Sequence, residues 1–144
     1  MVFFAACGPF FQKEGQKQPL RSPSGKYTVE MPISHSNYNL DYPVWTPTIK
    51  NKNGESIYTD NLSTLSGYHN SYWDWNEDNL GNDVLWVYNS DTGRVFIYYM
   101  SSGKWEKSEY DIDKGELNPP AIIKKKTYRT YPLRPLQPWS DQAK

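Results

Sequence analysis

Chemistry in this chain would have to start from very few residues: two histidines, His35 and His69, a single cysteine, Cys7, and an acidic run, "DWNEDNLGND", from 74 to 83. A serine or cysteine nucleophile needs a base held beside it, and the segments "ISHSN" and "YHNSY" give neither histidine a motif context. No Gly-x-Ser-x-Gly elbow, no zinc-binding His-Glu-x-x-His and no phosphate-cradling glycine loop occurs. A pair of carboxylates could hydrolyse a glycoside if held at the right separation, which sequence does not reveal. The acidic run brings Asp74, Asn76, Glu77, Asp78 and Asp83 within ten residues, enough oxygens to suggest calcium. Its spacing argues otherwise. Counted from Asp74, the sixth position of an EF-hand loop, which requires glycine, is Asn79, and the twelfth, which requires a carboxylate, is Leu85. The run is better read as a solvated hairpin whose Asp and Asn side chains bond to their own backbone. No metal site, cofactor or catalytic residue is expected.

Binding is better motivated. The 144 residues include 6 Trp, 12 Tyr and 5 Phe, more rings than a small core normally absorbs, and rings left outside mark recognition sites for glycans or proteins. Tyr68, Tyr72, Trp73, Trp75 and Trp105 are the candidate rings, with Asp74 and Asn76 beside them to bond sugar hydroxyls. The plainer alternative is that these rings fill a wide β-core with their polar atoms at its rim.

The elements that would position them are strands. Aromatic and β-branched residues favour a pleated surface, and 11 Pro and 9 Gly interrupt the chain too often for long helices. The segment from Tyr27 to Ile33 alternates, with Tyr27, Val29, Met31 and Ile33 on one face. "VWTPTIK" and "ESIYTD" flank "NKNG", where Asn53-Gly54 suits a tight turn with positive φ angles; Pro47 marks an edge or a bulge in the first arm. "GYHNSYWDW" follows, with Tyr72 and Asp74 opposed to Trp73 and Trp75. "VLWVYN" and "RVFIYYM" are apolar on both faces and read as central strands covered above and below. "KWEKSEYD" is more solvated. About seven strands are expected, in an all-β antiparallel meander closing as a small sandwich or barrel. "NSDTGRVF" resembles the Asp-box hairpin of sialidases and related propellers at Asp91, Gly93 and Phe96, a resemblance that implies a tight structural hairpin and no catalytic role.

One domain is expected at this length, with the β body at 25–118 between irregular extensions. Residues 8–24, rich in Gln, Lys, Gly and Pro, have the composition of a flexible tether. From 119 onward, prolines at 119, 120, 132, 135 and 138 argue against continuous helix and interior strand alike. The tail 119–144 is expected as an extended strap on the body or a polyproline-type recognition peptide. Formal charge is zero overall, yet residues 22–118 carry 7 Lys/Arg against 14 Asp/Glu, so an acidic body of −7 lies between basic ends of +2 and +5. Nucleic acid is therefore disfavoured as a partner of the body, which lacks the basic footprint phosphate binding requires.

The lone cysteine excludes an internal disulfide, and it follows "FAA" directly. "FAAC", residues 4–7, resembles the bacterial lipobox, in which the cysteine becomes the lipidated mature N-terminus. That resemblance implies a small bacterial lipoprotein, anchored in the cell envelope through Cys7 on the periplasmic or outer surface, with a soluble body. The segment before it is shorter than the roughly 7–15-residue apolar region of a signal peptide. The leading expectation is thus a noncatalytic exported binding module, of the layout found in inhibitors and immunity-type proteins, recognising a macromolecular partner. The alternative is a carbohydrate-binding module that stacks exposed Trp and Tyr on sugar rings.

Overall fold

The computed structural model describes residues 18–35, 43–60, 71–90 and 92–130. Among these residues ten strands run in the order β1 (Leu20–Arg21), β2 (Thr28–Glu30), β3 (Ile33–His35), β4 (Pro43–Trp45), β5 (Thr48–Lys50), β6 (Ser56–Thr59), β7 (Ser71–Glu77), β8 (Asp83–Asn89), β9 (Arg94–Ser101) and β10 (Lys104–Glu109), followed by one helix, α1 (Ala121–Thr130). They form two antiparallel four-stranded sheets, β1-β2-β5-β6 and β10-β9-β8-β7, and a two-stranded pair, β3-β4. The fold is all-β in class, and no barrel closes among the described residues.

Three more strands are present than the sequence suggested, for identifiable reasons. The expected strand from Tyr27 to Ile33 breaks at Met31-Pro32, since proline has no amide to donate; Met31 N is taken by Gln18 Oε1 at 2.9 Å, and Pro32 O accepts from Thr46 N. Pro47 divides "VWTPTIK" in the same way, and its carbonyl receives Asp60 N at 2.9 Å. The third addition, β1, lies inside the stretch read as tether: Leu20 pairs with Val29 and Arg21 with Thr28. The first sheet therefore includes residues before 25.

The second sheet is the three-hairpin meander expected from its apolar runs. In β7, Trp73 and Trp75 face the first sheet while Tyr72, Asp74 and Asn76 face away, the period-2 alternation of a strand. Every residue of β8 is buried. Leu85 and Val87 join Val29, Met31, Trp45, Ile49, Trp73, Trp75, Phe96 and Tyr98 in one cluster that fills the space between the sheets. Val84, Trp86 and Tyr88 lie on the opposite face with Tyr72, Val95, Ile97 and Ile123. That outer face is apolar because it too is covered, by the chain from Tyr110 to Leu117 and by α1.

Helix α1 corrects the expectation for the tail. Pro119 and Pro120 precede its first residue, and a proline is tolerated at a helix start because the amide there has no partner in any case; Pro120 O accepts from Lys124 N at 3.0 Å. The ten residues up to Thr130 contain no proline. Ile123 and Thr127, four apart and hence on one face, are buried at 0% and 4% exposure, and Lys126 Nζ stands 4.7 Å over the Tyr72 ring. Pro132, Pro135 and Pro138 lie outside the described residues.

Turn chemistry sets the registers. At Asn51–Glu55 the expected two-residue turn is instead a type I turn closed by a left-handed glycine: Gly54 has φ 82°, whereas Asn53 does not have positive φ. The Asn51 side chain explains the difference, since its Oδ1 accepts from Asn53 N at 2.9 Å and Glu55 N at 3.0 Å and holds the loop in that shape. The extra residue shifts the register between Ile49 and Lys50, as a bulge does. The two-residue turn with both centres at positive φ occurs at Ser102-Gly103.

Candidate functional site

The ring residues proposed as a binding platform are mostly interior. Trp73 is fully buried, its ring 5.4 Å from Trp45, and Trp75 is 6% exposed with its Nε1 donating to Leu20 O at 2.9 Å. Tyr72 is buried beneath α1 and stacks with Tyr88. Trp105 is half-buried, edge-on between Tyr27 at 5.0 Å and Trp75 at 6.1 Å. Buried as they are, Trp73, Trp75 and Tyr72 present no open face on which a sugar could stack, so the exposed-platform expectation does not hold for them. The reason is geometric: two sheets about 10 Å apart leave gaps wide enough for indoles, and rings in excess of one core supply two.

Their polar neighbours are committed to the fold as well. Asp74 Oδ1 accepts from Trp75 N at 2.8 Å. Asn76 uses both ends of its amide, accepting from Trp86 Nε1 at 2.7 Å and donating to Asn118 O at 2.6 Å, and so ties the covering segment to the second sheet. Cys7, Tyr68 and His69 lie outside the described residues. His35 lies in β3.

A second cluster was not anticipated. Asp60, at the end of β6, accepts from Lys107 Nζ at 2.9 and 3.1 Å and from the Tyr98 hydroxyl at 3.0 Å, with Tyr58 Oη at 3.5 Å. The side chains of Asp60 and Lys107 are only 2% and 14% exposed. Lys107 also stands 4.5 Å over the Phe96 ring. Burial first, and then the Asp60 charge, pushes the Tyr98 phenol well above its ordinary range and Tyr58 up to about 12. A phenol shifted upward stays protonated and donates; it does not abstract protons at neutral pH. The cluster therefore acts as a brace between the sheets. The sequence did carry one sign of it: Lys107 alternates onto the same face as Trp105, and a cation on an inward face requires a buried carboxylate.

The other buried carboxylate among the described residues plays the same part. Asp83, at the start of β8, accepts from Ser24 N at 3.1 Å and from the Ser24 hydroxyl, joining the Ser22–Gly25 turn of one sheet to the other.

The acidic hairpin that follows the candidate residues lies on the surface. Asp78 Oδ1 accepts from Leu80 N at 2.8 Å and Asn82 N at 2.9 Å, while Oδ2 accepts from Asn82 Nδ2 at 3.1 Å. These bonds, the one from the Asn82 backbone foremost, hold its carboxyl below the usual carboxylate range. Its oxygens are turned to the loop's own amides, as the hairpin reading anticipated. Among the described residues, no three His, Cys, Asp or Glu side chains converge in the manner of a metal site. At the tip stands Leu80, 86% exposed, with Glu77 exposed at the base of the loop. Sequence reasoning passed over Leu80, since a lone leucine in a polar run has no periodicity to flag it.

Neither a family model, nor a curated protein, nor a solved structure matches the chain. No helix among the described residues is long and apolar enough to cross a membrane.

Proposed function

We propose that the chain is a noncatalytic binding module of the exported lipoprotein type, held in the bacterial cell envelope by a lipid on Cys7, which engages a macromolecular partner through the hairpin at 77–82. Inhibitor and immunity-type proteins share this layout. The observation that carries the reading is Leu80: a large apolar side chain, 86% exposed, sits on a loop whose shape is fixed in advance by three bonds to the Asp78 carboxylate. A pre-organised loop loses little entropy on docking, and an apolar anchor ringed by charge is how a small interface combines affinity with specificity. The charge of −7 on residues 22–118 would steer a basic partner toward the body at low salt.

Two measurements test the two halves. Metabolic labelling with a fatty-acid analogue should mark the precursor and not its Cys7→Ser form; equal labelling of both ends the lipoprotein half. For the binding half, a photo-cross-linking residue placed at position 80 in the source cell should give one discrete adduct, absent when the same residue replaces Ile57, which is 40% exposed on β6. Identical adduct patterns at both positions would count against the hairpin.

The carbohydrate alternative draws no support from Tyr72, Trp73 or Trp75, which are buried.

A further inference from the structure

One face departs from the charge of the rest. An open groove of about 580 Å³ crosses the outer face of the first sheet, lined by Arg21, Lys26, Lys50 and Lys52, with Tyr27 and Glu30 among the remaining walls. Three of the 7 Lys/Arg between 22 and 118 are gathered there, and Arg21 adds a fourth cation. Glu30 is the one carboxylate in the lining, and it is already bound to Lys50 at 3.0 Å. Among the described residues, Arg21, Lys26 and Lys52 have no carboxylate partner, whereas Arg94 and Lys107, elsewhere on the body, are bound to Glu109 and Asp60. The fold places the cations deliberately. Leu20, Val29 and Ile49 point inward, so Arg21, Thr28 and Lys50, which register across three adjacent strands, point out together. Strands about 4.8 Å apart set Arg21 and Lys50 about 10 Å apart at their backbones, a span that takes more than one anionic group.

We infer that this groove binds a short acidic oligosaccharide, one bearing carboxylate or sulfate groups on neighbouring rings. The chemistry of the lining favours it: the cations meet the anionic groups with charge-assisted bonds, Ser24, Thr28 and Asn51 offer hydroxyl and amide partners, and the volume lies in the range of small-ligand sites. The surrounding charge limits the ligand's length. Screening confines the groove's field to about 8 Å at physiological salt, beyond which a long polyanion such as nucleic acid meets a body of net negative charge. This inference does not rest on the hairpin, which belongs to the other sheet, or on a lipid at Cys7.

The test is calorimetric titration of the full chain with tetragalacturonate, its methyl ester, inorganic phosphate and a single-stranded DNA of equal charge. Tetragalacturonate should bind saturably, and the ester, phosphate and DNA at least about tenfold more weakly. The exposed pair Lys26→Glu/Lys52→Glu should lose binding by about tenfold or more, and Lys26→Gln/Lys52→Gln by less, with circular dichroism unchanged in both. Glu77→Lys with Leu80→Ser should bind tetragalacturonate as the parent does, which separates a failure of the groove from a failure of the hairpin. Absence of saturable binding, equal binding of the ester or of DNA, or an unchanged affinity in the Lys26/Lys52 variants would each overturn the inference.

Discussion

Replacing Asp60 with alanine is expected to cost about 3–5 kcal/mol of folding stability, the range for breaking a buried ion pair from one side. The geometry sets the size. The carboxylate is 2% exposed and holds an ammonium that is itself 14% exposed, at 2.9 Å, together with the Tyr98 hydroxyl at 3.0 Å. Truncation removes the counter-charge from a cation that the surrounding Phe96 and Tyr98 rings hydrate poorly, and removes the acceptor of a buried phenol, itself worth about 1–3 kcal/mol. Water entering the vacated space returns part of this, so the sum stays within the stated range. Equilibrium urea unfolding followed by Trp fluorescence measures the loss. The double variant Asp60→Ala/Lys107→Met should be less destabilised than Asp60→Ala alone, because the ammonium that lost its Asp60 counter-charge is gone. A loss below about 1 kcal/mol, or a double variant equal to the sum of the singles, would refute the brace. The same cluster fixes a pH dependence. Tyr58 rises from 10.0 to about 12 on folding, so the folded chain holds its proton where the unfolded chain has lost it. Stability is then unaffected by this group below about pH 10 and declines as pH climbs through about 12. Asp60→Asn should lower the Tyr58 and Tyr98 titrations read from phenolate absorbance.

Three further outcomes follow from the packing. Trp73→Ala should cost about 3–5 kcal/mol as a large cavity opens between the sheets, whereas the half-buried Trp105→Ala should cost less; denaturant midpoints order the two. Gly54→Ala should cost about 1 kcal/mol from its left-handed backbone alone, since no atom stands within 4 Å of the added methyl; a neutral result would mean the loop relaxes to another turn. Asn76→Ala, which strands the buried Trp86 Nε1 and frees the covering segment at Asn118, should cost about 1–3 kcal/mol, and hydrogen exchange should show α1 losing protection more than β8 does.

The second sheet was legible because its strands alternate or run apolar for whole lengths, which local pattern records. The inward rings were not separable from outward ones, because β7 carries large rings on both faces, and only the presence of a second covered face, under α1, decides where each ring goes. The helix was hidden for a related reason. Prolines at 119 and 120 read as breakers, although at a helix start they are permissive, and the face that stabilises α1 belongs to the sheet beneath it. Asp60 and Lys107 are 47 residues apart, so their pairing is a property of the two-sheet stack and leaves only the oddity of a lysine on an inward face. The acidic hairpin was found by composition as a solvated turn, while its exposed Leu80 was not.

The most direct measurement of the central claim is the affinity of the partner captured through position 80, purified and titrated against the parent chain and against Leu80→Ser and Glu77→Lys. The account predicts at least about a tenfold loss for Leu80→Ser, and for Glu77→Lys a slower association whose dependence on salt is weaker than the parent's. Parent-like affinity and parent-like salt dependence in both variants would contradict it.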